Sequence, residues 1–121
     1  QKEEKISILK SILFKLPRTE ELLDLLLNKG ININELNEKG NTLLMELIPF
    51  YNYIIKESEF EKKLSLIKFL LERGTNINIK NKNNQDIYEI IKISKEDQKF
   101  KKYQFRKEFY NRIEAFIRNY K

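Results

Sequence analysis

Leu22-Leu-Asp-Leu-Leu-Leu-Asn-Lys-Gly30-Ile-Asn-Ile-Asn34 is echoed further along the chain by Leu66-Ile-Lys-Phe-Leu-Leu-Glu-Arg-Gly74-Thr-Asn-Ile-Asn78. Each copy reads as an apolar helix face, then a polar residue, a cation, a glycine and an Asn-Ile-Asn tail. A supersecondary unit of this size cannot bury its apolar face alone, but it can bury it against a second copy of itself. Stacked units present extended surfaces, so the repetition points to binding rather than catalysis.

Working outward from the two copies, the apolar spacing predicts six helices. The first covers Glu3 to Leu16, with Ile6, Leu9, Leu13 and Leu16 on one stripe and Ile8 and Ile12 widening it, and Pro17 stops it. Thr19 is placed to cap a second helix that carries Glu20 and Glu21 in its first turn and ends at Gly30. Thr42 caps a short helix, Leu43 to Ile48, before Pro49. Ser58 and Glu61 have capping-box spacing and open a fourth helix that ends at Arg73 and Gly74. Asp86 caps Ile87 to Ile93, and Ser94 with Asp97 opens a long last helix to Asn119. The two intervening stretches, residues 31–41 and 75–85, are short alternations ending in turn chemistry. They read as extended fingers with tight tips, not as a sheet.

Composition narrows the function. The chain has 121 residues, 40% hydrophobic and 35% charged, enough for one domain with a modest core. Val is absent and Leu and Ile are abundant, which favours helices over strands. Cys and His are absent. That removes disulfides, Cys/His zinc sites and every Ser-His or Cys-His nucleophile. No catalytic residue, metal ligand or cofactor site is assigned. No apolar run reaches the roughly 20 residues of a membrane span. Lys10 and Lys15 interrupt Ile6–Leu16, which does not suit a signal-peptide core. The sequence starts at Gln1, as it would after removal of a tag or signal, or in a piece of a longer protein.

Charge is unevenly placed. Residues 1–60 hold 8 basic and 10 acidic side chains, and residues 61–121 hold 16 and 8, within a net charge of +6. Residues 92–121 hold 10 basic and 4 acidic side chains among many aromatics, a pattern that also suits phosphate neutralisation and base stacking. The aromatics fall at helical spacing, so packing is the simpler account of them.

The units resemble ankyrin repeats. The outer-helix ending of that family corresponds to Leu25-Leu-Leu-Asn-Lys-Gly-Ile-Asn-Ile-Asn34 and to Phe69-Leu-Leu-Glu-Arg-Gly-Thr-Asn-Ile-Asn78, and its inner-helix start to Gly40-Asn-Thr-Leu-Leu-Met45 and Asn84-Gln-Asp-Ile-Tyr-Glu89. The Pro and His usual at that start are missing from both copies. The two glycines lie 44 residues apart (74 − 30), against a period of about 33, which leaves an 11-residue insertion in the middle repeat. The resemblance implies an all-α, ankyrin-like helical repeat solenoid of about six helices, with finger-like β-turn loops and a long C-terminal capping helix. Its units would be 1–36, 37–80 with the insertion at 49–57, and 81–121.

It further implies a monomeric module that binds a protein partner through its finger tips and inner-helix face. Such a module would act as an inhibitor, effector or immunity-type protein, in the cytoplasm or delivered into a host or target cell. A nucleic-acid adaptor using the C-terminal helix is the alternative. On the fingers the candidates are Leu36, Glu38, Lys39, Lys80 and Lys82, and on the inner helices Glu46 and Glu89. Phe50, Tyr51 and Tyr53 of the insertion are candidate aromatic anchors. A carboxylate site at the insertion, with Glu57, Glu59 or Glu61 pointing into a pocket, is a third, enzymatic reading.

Overall fold

A computed structural model describes residues 19–49, 57–96 and 104–120. The helix expected over Glu3 to Leu16 lies outside these residues, as do Phe50, Tyr51 and Tyr53. The described residues form five helices and no strand: α1 (Thr19–Asn28), α2 (Leu43–Leu47), α3 (Glu57–Glu72), α4 (Ile87–Lys95) and α5 (Gln104–Asn119).

The helix boundaries follow from local chemistry. At the end of α1 the Gly30 N–H donates to Leu27 O (3.0 Å) and the Ile31 N–H to Leu26 O (3.3 Å). At the end of α3 the Gly74 N–H donates to Leu71 O (3.1 Å) and the Thr75 N–H to Leu70 O (3.2 Å). These paired bonds form the Schellman ending, in which the residue after the cap is left-handed. Gly30 and Gly74 adopt φ of 99° and 91°. At the start of α2 the Thr42 hydroxyl accepts from the Met45 N–H, and at the start of α4 an Asp86 carboxylate oxygen accepts from the Glu89 N–H. Each cap satisfies one of the amides that a helix start leaves open. In the first cap, Met45 Sδ also accepts from the Thr42 N–H at 3.4 Å, filling the role that Glu or Gln has in a capping box.

Three sequence expectations are corrected. Thr19 is itself helical, within α1, and not the capping residue before it. Ser58 lies inside α3, which already includes Glu57. Ser94 lies inside α4, which continues to Lys95, and the Glu96 N–H donates to Lys92 O at 3.1 Å. Serine caps a helix only where the chain can turn non-helical before it. Here the helical bonding runs through Ser94, and the final helix is described only from Gln104.

The core runs along the stack. α2 packs on α3 and α4, and α4 packs on α5. Phe60, Ile67 and Leu70 of α3, Leu43, Leu44 and Leu47 of α2, Ile87 and Ile91 of α4, and Tyr110 and Ile113 of α5 are almost entirely buried. Phe60 stacks on Phe109 of α5, with ring centroids 4.4 Å apart and planes at 14°. Truncating so buried an aromatic to alanine costs about 3–5 kcal/mol. Buried Lys63, only 7% exposed, reaches from α3 to donate to Leu47 O (2.6 Å) and Pro49 O (3.1 Å). It thereby supplies a cation to carbonyls at the C-terminal end of α2, where the helix dipole is negative.

A candidate binding cleft between two stacked loops

The loops at residues 29–42 and 73–86 are built the same way. The Asn32 side-chain oxygen accepts from the Asn34 N–H (2.9 Å), and that of Asn76 accepts from the Asn78 N–H (2.9 Å). Asn37 Oδ1 accepts from the N–H groups of Lys39 and Asn41, both at 3.0 Å. Asn81 Oδ1 accepts from those of Asn83 and Gln85, both at 2.9 Å. Asparagine suits this work because its short side chain bonds to backbone one turn away. The tips close through Gly40 (φ 78°) and Asn84 (φ 61°), each donating its N–H at 2.9 Å, to Asn37 O and Asn81 O respectively. Left-handed backbone is open to glycine and tolerated by asparagine.

The two loops are also bonded to each other. The Lys82 N–H donates to Lys39 O (3.0 Å) and Asn81 Nδ2 to Asn41 Oδ1 (2.9 Å). Asn34 donates through Nδ2 to Gly74 O (3.2 Å) and accepts from the Asn76 N–H (2.7 Å). A Cβ on Gly40 would lie 2.9 Å from Lys82 N, so backbone meets backbone at that point. Behind the loops, Asp24 of α1 accepts from Arg73 at 3.0 and 3.1 Å, and Glu20 of α1 accepts from the Ser65 hydroxyl at 2.8 Å.

Between the loop stems and the inner helices lies an open cleft of about 230 Å³. Met45, Pro49, Ile90 and Ile93 give it apolar walls, and Lys39, Asn41, Glu46, Asn81, Gln85 and Ser94 give it polar ones. Ile93 is 48% exposed, unusual for a large apolar side chain among the described residues. Glu46 is half-buried, and its Oε2 accepts from Asn37 Nδ2 (3.1 Å) and Asn41 Nδ2 (2.7 Å). Apolar walls with a few convergent polar groups are what a binding pocket requires.

Of the residues singled out from the sequence, the structure brings Lys39 and Glu46 together in the cleft. Glu38, Lys80, Lys82 and Glu89 are exposed and do not line it. Leu36 is half-buried rather than a free apolar tip. Gln85, Ile93 and Ser94 were not anticipated. The signal that could have found Gln85 is the shared spacing of Asn37-x-x-x-Asn41 and Asn81-x-x-x-Gln85. Glu57 and Glu61 point to Arg112, at 3.1 and 3.2 Å, so their carboxylates anchor α5 to α3.

The basic-aromatic helix α5 is largely occupied by packing. Phe109, Tyr110, Ile113 and Ile117 are buried, and Phe116 and Tyr120 pack against the core. Arg112 lies over the Phe60 ring at 4.4 Å, and the hydrogen bond it donates to Glu57 holds its pKa above the ordinary guanidinium value. Arg118 pairs with Glu114 at 2.9 Å and lies over Tyr88 at 4.1 Å. Among the described residues, no helix is long and apolar enough to cross a membrane.

No family model matches the chain. Over 66 residues, 54% of this chain, it is 39% identical to a protein of Acanthamoeba polyphaga mimivirus that is named as an ankyrin repeat protein. The match spans 9% of that much longer relative.

Proposed function

We propose that the protein is a non-enzymatic interaction module of the ankyrin-repeat kind that binds a protein partner along its loop edge and the adjoining cleft. The observation that carries this reading is the register of the two loops, bonded through Lys82 N–H to Lys39 O and Asn81 Nδ2 to Asn41 Oδ1. Loops fixed in this way form a rigid edge, and exposed loops on a rigid scaffold are where function concentrates. The mimivirus similarity supports the same scaffold. In this reading the loops are the repeat fingers, Glu3–Leu16 is the inner helix of the first unit, and α5 caps the last. Glu38, Lys39, Lys80 and Lys82 at the tips and Glu46 and Glu89 on the inner helices then face the partner, with Leu36, Phe50, Tyr51 and Tyr53 as apolar contacts. The partner would be blocked or recruited, as by an inhibitor, an effector or an immunity-type protein.

Affinity capture from source lysate, split into nuclease-treated and untreated halves, tests the reading. One protein retained in both halves, and lost when Ile93→Asp bait is used, is the expected result. Retention that disappears with nuclease would instead assign binding to nucleic acid and end the protein-partner reading.

A further inference from the structure

The two units hold their amide side chains in the same register, but only the first unit supplies its own anion. In the first unit, Asn37 Nδ2 and Asn41 Nδ2 both donate to Glu46 Oε2, at 3.1 and 2.7 Å. The counterparts 44 residues on are Asn81, Gln85 and Ile90. Ile90 brings no carboxylate. Asn81 Nδ2 turns instead to Asn41 Oδ1 (2.9 Å) and Gln85 Oε1 (2.8 Å). This leaves the Gln85 side-chain NH2 in the cleft wall with no acceptor among the described residues. Lys39 lines the same cleft and makes no ion pair among the described residues, and the second loop carries Lys80 and Lys82 with no acidic residue from 79 to 85. Beside these donors stand Pro49, Ile90 and the half-exposed Ile93.

We infer that the cleft takes an extended peptide segment of the partner in which an Asp or Glu stands next to a large apolar side chain. The partner's carboxylate occupies in the second unit the place that Glu46 occupies in the first, accepting from Gln85 Nε2 with the Lys39 ammonium beside it. A carboxylate received by an amide and a cation makes charge-assisted bonds, stronger than neutral ones. The neighbouring apolar side chain covers Ile93 and Pro49, removing exposed apolar surface from water. Glu46 keeps its charge in the same cleft, but its Oε2 is turned to the two amides of the first unit, and the Lys39 ammonium offsets its repulsion of the incoming carboxylate. The inference rests on the interaction-module reading and adds the chemistry of the partner.

The test pans a random peptide display library on the full chain. Enriched peptides are then titrated by fluorescence polarisation against wild type, Gln85→Glu and Ile93→Asp, with melting temperatures recorded for all three. Gln85→Glu keeps an oxygen to accept from Asn81 Nδ2 but replaces the open donor with a like charge. Enriched peptides should carry an acid beside Leu, Ile or Phe. Gln85→Glu should weaken them by about tenfold or more, and a peptide with its acid changed to the amide should largely escape that loss. Enrichment of acid-free or Lys/Arg-rich peptides, or acid peptides indifferent to Gln85→Glu, overturns the carboxylate site. Peptides lost with Ile93→Asp yet indifferent to Gln85→Glu overturn it while leaving the cleft as an interaction surface. If no peptide is enriched the carboxylate site also fails, and the lysate capture then judges the module reading independently.

Discussion

The two loops share a backbone design and differ in what lies behind them. Gly40 is buried against Lys82 and Asn81 of the second loop, whereas its counterpart Asn84 is exposed. Leu25 of α1 is 50% exposed, whereas its counterpart Phe69 of α3 is 7% exposed. Local sequence sets the fold of each unit, and the neighbouring unit decides which positions carry load. The same left-handed conformation is a packing requirement at residue 40 and only a conformational one at residue 84.

The largest effect that would break this contrast is at Gly40. Gly40→Ala combines a positive φ with a Cβ 2.9 Å from Lys82 N, a backbone atom with no room to yield. A cost of about 3 kcal/mol is expected, near the upper end for single substitutions. Asn84→Ala meets only the conformational term and should cost about 1 kcal/mol. Urea unfolding of both variants gives the comparison directly. Equal losses would mean that the loops do not pack as described.

What could be read from the sequence divides along the same line. The helix ends at Gly30 and Gly74, the caps Thr42 and Asp86, and the positive φ of Gly40 and Asn84 are short-range chemistry written in a few adjacent residues. The cleft is not. Gln85 and Ile93 come together with Lys39 only because one loop stacks on the other, which no local pattern states. Ser58 and Ser94 misled because serine three residues before an acid also occurs inside helices, where packing of residues such as Phe60 and Ile91 decides the outcome. The half-burial of Leu36 is likewise set by contacts that its own finger sequence does not state.

A smaller effect sharpens the link between the loops. Asn81 accepts two backbone N–H groups within its own loop and donates to Asn41 Oδ1 across the gap. Asn81→Ala should cost about 2 kcal/mol, most of it from the bonds inside its loop, given roughly 0.5–1.5 kcal/mol for each bond. The cross-loop share is isolated by a double-mutant cycle with Asn41→Ala. A coupling of about 0.5–1 kcal/mol is expected. Strict additivity would mean that the Asn81–Asn41 bond contributes nothing to stability and that the other bonds between the loops, such as Lys82 N–H to Lys39 O, hold the register without it.

The smallest effect lies behind the loops, at the link between α1 and α3. Asp24 and Arg73 form a two-bond pair, but their side chains are 47% and 33% exposed, so water and salt screen the attraction. The Arg73 hydrogen bond holds the Asp24 carboxyl below its ordinary pKa of 3.8, against a weaker opposing effect of burial. A carboxyl depressed in the folded state stabilises the fold above its unfolded pKa, and the contribution is lost as pH falls through the lowered folded value. Arg73 stays charged throughout, so only the carboxyl titrates. Asp24→Asn should therefore lower the melting temperature slightly at neutral pH and low salt, and the gap from wild type should close as pH drops below 3.8. In the second unit Lys68 stands where Asp24 stands in the first, so no carboxylate occupies that position there. A gap that persists in acid would show that Asp24 acts through packing beside Arg73 and Phe69, whose ring lies 3.6 Å below the guanidinium, and not through its charge.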